Sequence, residues 1–88
     1  MANHKSAKKR ARQNEIRRVR NKAVRTRVKN VVKEVRQAVT ENSTDTAAAR
    51  INHAQSVIDK AAKKGVIHKR TAARKISRLS KQVNSLSA

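Results

Sequence analysis

The chain contains no cysteine, no proline and no aromatic residue, only one glycine, and five acidic residues among 88. Without cysteine there is no disulfide framework, cysteine-based zinc site or thiol nucleophile, and a reducing compartment is expected. Without Phe, Tyr or Trp there is no ring for a base to stack on, which excludes the recognition used by RRM, OB and cold-shock surfaces. No apolar run approaches the ~20 residues of a membrane span. No apolar core follows the basic N-terminus, as a secretory signal would require.

What the chain has in excess is positive charge. Lys and Arg number 24, and the formal net charge is +19. A single small domain of this length repels itself at such a charge and calls for a polyanionic partner. Residues 1–36 carry 14 basic residues against Glu15 and Glu34, residues 37–62 carry Arg50 and Lys60 against Glu41, Asp45 and Asp59, and residues 63–88 carry eight and no acid. The three segments therefore hold +12, −1 and +8. Two basic arms flank a nearly neutral middle.

Gly65 is the strong breaker, and Asn42-Ser43-Thr44-Asp45 is the turn-rich cluster. They divide the chain into three stretches. From about Ser6 to Glu41 there is no Gly or Pro, and Ala, Lys and Arg favour helix. The apolar positions Val24, Val28, Val31, Val32, Val35, Ala38 and Val39 step by three and four along one helical stripe. Valine favours strands, but strict alternation never occurs, so the helical period decides.

The second stretch is expected to start with Asp45 as N-cap. Its stripe is Ala47, Ile51, Ala54, Ile58 and Ala61, with Val57 alongside. Lys63 and Lys64 complement the negative helix end, and Gly65 stands where a left-handed residue is wanted. The third stretch runs from His68 or Lys69 to Ser85. Its seam is Ala72, Ile76, Leu79, Val83 and Leu86, with Val66 and Ile67 anchoring the turn before it. Three stripes joined by two short connections predict an all-α fold, a three-helix antiparallel bundle.

The lengths are unequal. At 1.5 Å per residue the first helix extends ~50 Å and the others ~28 Å each. Continuing the valine stripe backwards reaches Arg20, Arg17, Gln13 and Arg10, none of them apolar. Ile16, Val19 and Ala23 lie to one side. A long basic N-terminal helix should thus overhang the bundle, residues 1–22 forming the extension and 23–88 the bundle. The extension has no face to bury within the chain, so it is expected to be disordered alone or ordered against a partner. The core, limited to aliphatic residues, should be marginally stable.

On the third helix Arg70, Arg74, Arg78 and Lys81 form a ridge opposite the apolar seam. On the first, Arg18, Lys22, Arg25, Lys29, Lys33 and Arg36 lie away from the valines. Before residue 20 the cations point in all directions, which suits insertion between several phosphate strands. Asn3, Ser6, Asn21, Thr26, Asn30, Thr71 and Ser77 offer neutral hydrogen bonds to phosphate or ribose, or cap and face solvent. His4, His53 and His68 have no zinc-ligand spacing, and no carboxylate pair accompanies them. His68, at the entry to the third helix, suits a cap as well as an RNA contact. No catalytic, metal or cofactor site is expected, and the chain does not read as an enzyme. Charge alone does not separate RNA from DNA.

Three segments, ANHKSAKKRARQNE, RRVRNKAVRTRVKN and KGVIHKRTAARKISRL, resemble the bacterial small-subunit ribosomal protein S20 family, in order and over nearly the whole chain. Arg70 departs from the Asn often found there, and adds a charge to the ridge. The resemblance implies a component of the small (30S) ribosomal subunit that binds 16S ribosomal RNA directly and supports assembly in the cytoplasm. It implies other components of the small subunit as neighbours, and no membrane, small-molecule substrate or homo-oligomer. It carries RNA contact onto Asn3, His4, Lys5, Ser6, Lys8, Lys9, Arg10 and Arg12. It does so again for Arg17, Arg18, Arg20, Asn21, Lys22, Arg25, Arg27 and Lys29. The last group is His68, Lys69, Arg70, Arg74, Lys75 and Arg78, with Lys81 completing the ridge.

Two other classes compete. A nucleoid-type or basic-zipper DNA binder would use Arg10–Arg27 as its basic region and the valines as a dimer seam, but that seam lasts only about two heptads. A cationic membrane-active helix would need a broad apolar face with Trp, Phe or Leu. This chain has two Leu and neither aromatic.

Overall fold

The computed structural model describes residues 3–86. Three helices follow one another: α1 (Asn3–Thr40), α2 (Thr44–Lys63) and α3 (Lys69–Leu86). There is no strand among the described residues, and the helices pack on one another as an all-α bundle. α1 packs mainly on α2, α2 on α3, and α1 least on α3.

The core follows the three stripes. α1 contributes Val28, Val31, Val35 and Ala38, α2 contributes Ala47, Ile51, Ala54, Val57, Ile58 and Ala61, and α3 contributes Ala72, Leu79 and Val83. Val24, Val32, Val39, Ala62, Ile67, Ile76 and Leu86 pack half-buried around it. A fully buried Val, Ile or Leu contributes ~1.5–3 kcal/mol, but an Ala far less. With five of its 13 members alanine, the core draws the helices close without burying much area. No polar or charged side chain is buried among the described residues.

Both connections are the same device. After α1, Asn42 takes a left-handed φ of 56°. Its N–H donates to the Val39 carbonyl at 3.0 Å, and the Ser43 N–H donates to that of Ala38 at 3.1 Å. After α2, Gly65 takes a φ of 79°. Its N–H donates to Ala62 O and the Val66 N–H to Ala61 O, both at 3.0 Å. These paired bonds are Schellman motifs, which satisfy carbonyls left open at a helix end. The second stop was expected at Gly65.

The start of α2 corrects the expectation at Asp45. Ser43 is the N-cap, with φ −93° and ψ 91°, and its carbonyl accepts the first helical bond, from Ala47 N–H at 2.8 Å. Its side chain makes no capping bond. Once Asn42 closes α1, the next residue is the first with extended backbone, so the cap falls two positions earlier than Asp45. Asp45 instead sits in the first turn of α2, where its charge meets the positive helix end.

The principal extents are 67 × 21 × 14 Å and the radius of gyration is 17.7 Å, against about 12 Å for a compact chain of this length. The excess comes from α1, whose 38 residues span ~57 Å. Every side chain from His4 to Arg20 is exposed. This stretch is helical, and none of its side chains is buried against the other described residues. An isolated helix must pay for its nucleus. Here the packed half of α1 already supplies one, and an uninterrupted run of non-Gly, non-Pro residues only propagates it.

Candidate nucleic-acid interface

The fold sorts the expected contact residues into three places: the overhang, the point where α1 leaves the bundle, and the outer face of α3. On the overhang, His4, Lys5, Ser6, Lys8, Lys9, Arg10, Arg12, Arg17, Arg18 and Arg20 are all exposed. Asn3 begins α1, but its side chain lies outside the described residues. Lys5, Lys8, Lys9 and Arg12 line one shallow hollow with Gln13 and Ile16. Cations so close together without acids between them raise the potential of the whole segment. The only ion pair among the described residues joins Arg18 to Glu15 at 2.8 Å, one helical turn apart and well exposed. Such a pair contributes little to stability, and none of the other cations of the overhang is paired with a carboxylate.

The overhang also carries the two exposed large hydrophobics among the described residues, Ile16 at 45% and Val19 at 58% of full exposure. They lie off the valine stripe, as the helical period places them. Neither belongs to the core.

Where α1 leaves the bundle the stripe changes character without changing face. Val24 is half-buried, and one and two turns before it the same face presents Arg20 and Arg17. These two arginines, Asn21, Ala23 and Val24 form one wall of a groove; Lys64 and Val66, from the α2–α3 turn, form the other. Asn21 is half-buried there, unlike Arg20 and Lys22 on either side of it in the chain. An adjoining hollow brings Arg27 together with Lys60, Lys64 and Val57. Lys60 and Lys64 were not among the expected contacts. Lys64 in sequence is only a cation at a helix end, and nothing local links it to Arg20. The signal is tertiary: Val24 and Val66 must first be brought together.

Lys22, Arg25 and Lys29 are exposed on the side of α1 turned away from the core. On α3, Lys69, Arg70, Arg74, Arg78 and Lys81 are exposed. Arg74, Arg78 and Lys81 share one patch with Ala73 and Ser77. The buried seam of Ala72, Leu79 and Val83 lies opposite, so packing holds the ridge outward. Lys75 falls off the ridge and is half-buried. His68 caps α3: its Nδ1 accepts the Arg70 N–H at 3.1 Å, and its carbonyl accepts that of Ala72 at 3.0 Å. This bond orients the imidazole at the head of the ridge. The ring thus serves the cap that the sequence allowed.

Among the described residues no three His, Asp or Glu side chains gather as metal ligands, and no helix is long and apolar enough to cross a membrane. The arrangement offers many cations on exposed helical surfaces and, where α1 meets the α2–α3 turn, a cationic groove with an adjoining hollow. It suits the backbone of a folded polyanion, by phosphate contact and by shape.

Comparison with known proteins gives one consistent result. The family model for ribosomal protein S20 matches residues 2–84. A protein of Syntrophobacter fumaroxidans named small ribosomal subunit protein bS20 is 60% identical over 86 residues, covering 98% of this chain and all of that one. The protein of the same name from Maridesulfovibrio salexigens is 63% identical over 86 residues, covering 98% of this chain and 99% of its own length. That from Desulfotalea psychrophila is 53% identical over 88 residues, the whole of this chain.

Proposed function

The chain belongs to the ribosomal protein S20 family, and from that premise we propose that it is a structural constituent of the small (30S) ribosomal subunit that binds 16S ribosomal RNA directly and supports subunit assembly. It acts by binding and not by catalysis, and its setting is the cytoplasm, on the ribosome. Residues 1–22 serve as a basic extension and residues 23–88 as the bundle that holds it. It works as a single copy among other components of the subunit.

The observation that carries this reading is the overhang. A segment with eight basic residues up to Arg20 and one acid is exposed on every side. In a family of ribosomal proteins the polyanion that matches it is ribosomal RNA. The basic-zipper alternative needs the Val24–Val39 seam for a second copy, but α2 and α3 of the same chain cover that seam.

Crosslinking in purified small subunits tests the reading. Residues Lys8–Arg27 and Arg70–Arg78 are expected to crosslink to 16S ribosomal RNA, while the outer face of α2 around Asn52 and Ser56 gives little. Crosslinks from α2 alone would sink the assignment of the interface.

A further inference from the structure

The groove at the exit of α1 is concave and built from two distant parts of the chain, the start of the packed half of α1 and the α2–α3 turn. Its lining combines the half-buried aliphatic side chains Val24 and Val66 and the half-buried Asn21 with the exposed cations Arg17, Arg20 and Lys64. No carboxylate lines it. Lys64 is common to this groove and to the adjoining hollow that holds Arg27 and Lys60, so cations from α1 and from the α2–α3 turn stand on both sides of Val24.

We propose that this groove is a composite site for one sugar–phosphate segment of RNA, with Arg20 and Lys64 closing on a shared phosphate and the ribose lying on Val24 and Val66. The proposal rests on the RNA-binding reading above and specifies where the bundle itself joins the overhang in binding. Arginine offers a planar fork of donors and lysine a mobile point charge. Together they grip a phosphate from two directions. The Asn21 amide both donates and accepts, as a 2′-hydroxyl does, and that hydroxyl distinguishes RNA from DNA. The two walls meet only when α1 is packed on the α2–α3 turn. The site therefore exists in the folded bundle and not in a free basic peptide. An interaction made there fastens RNA to the rigid part of the molecule, next to the start of the uncovered helix.

Lys63 provides the internal control. It is exposed at the same end of α2, carries the same charge, and lines a different groove, between α2 and α3, with Asp59, Lys69 and Ile76. The experiment measures binding of the full-length protein to 16S ribosomal RNA over a range of salt concentrations, with circular dichroism to verify the fold of each variant. Lys64→Gln is expected to weaken binding by roughly tenfold, the scale of one charge-assisted hydrogen bond. It should also make the logarithmic salt slope shallower by about one. Lys63→Gln should change affinity less than about twofold, the scale of a lost long-range charge contact, and Lys64→Arg should retain binding. The double variant Arg20→Gln/Lys64→Gln should lose less than the product of the two single losses, because both groups hold one phosphate.

Equal losses for Lys63→Gln and Lys64→Gln, or strictly multiplicative losses for Arg20 and Lys64, would overturn the composite site. A Lys64→Gln protein that binds like wild type would also overturn it. In those cases the wild-type protein still binds, and the wider reading stands. Failure of the wild-type protein to bind 16S ribosomal RNA would instead defeat the functional reading itself.

Discussion

From Val28 to Ala38, α1 places a side chain in the core every three or four residues, whereas from His4 to Arg20 it places none. The two halves share one unbroken helix, similar helix-forming residues and a high density of Lys and Arg. They differ in what lies on the face that continues the stripe: valine in one half, and Arg20, Arg17, Gln13 and Arg10 in the other. The contrast separates two causes of order that usually occur together. Local propensity extends the helix across both halves, but only burial ties a helix to a fold. The outer half has the first and lacks the second. It has the shape of a folded element and the surface of an unpartnered one.

Three experiments press on that contrast. The largest effect is expected from deleting residues 1–20. Binding to 16S ribosomal RNA should fall by roughly 10³-fold or more at near-physiological salt, as the loss of several phosphate contacts requires. Far-ultraviolet circular dichroism of the shortened protein should lose only the helix that was removed. Collapse of the remaining helicity would mean that the outer half supports the bundle, and the contrast would break.

The next effect concerns one chemical change made once in each half. Val35 is fully buried, and Val35→Ala should destabilise the free protein by about 1.5–3 kcal/mol, from lost burial and the cavity left behind. Urea denaturation measures this as a lower midpoint. The smallest effect is the matching change at Val19. It is exposed, so Val19→Ala should move stability by less than ~0.5 kcal/mol. A Val19→Ala loss as large as that at Val35 would show that the outer half is packed in solution.

The same division explains what could be read before the structure was known. The spacing of the valines, the seam from Ala72 to Leu86 and the stop at Gly65 are local patterns, and each reappears in the helices and turns. The N-cap of α2 was harder. Asn42, Ser43, Thr44 and Asp45 are all suited to caps, and the choice fell to Ser43 because Asn42 had closed α1 in the left-handed conformation. The overhang could be located because a missing stripe is also a pattern.

The groove could not be located in this way. Lys64 and Arg20 are neighbours only through the packing of the α2–α3 turn on α1, and composition assigns Lys64 to the helix end. Lys75 is also placed only by packing: the resemblance groups it with the ridge cations, and its position around α3 sets it half-buried beside them.

The continuity of α1 has a geometric consequence for the overhang. Because no residue breaks the helix between the valines and Asn3, the packing of Val28, Val31 and Val35 fixes the azimuth of every cation beyond the bundle. The core works as an index mark, and the overhang as a shaft keyed to it. One extra residue inserted before Val24 would advance the shaft by ~1.5 Å and turn it by ~100°. Charge and helicity would be almost unaltered, yet every arginine and lysine of the overhang would point elsewhere.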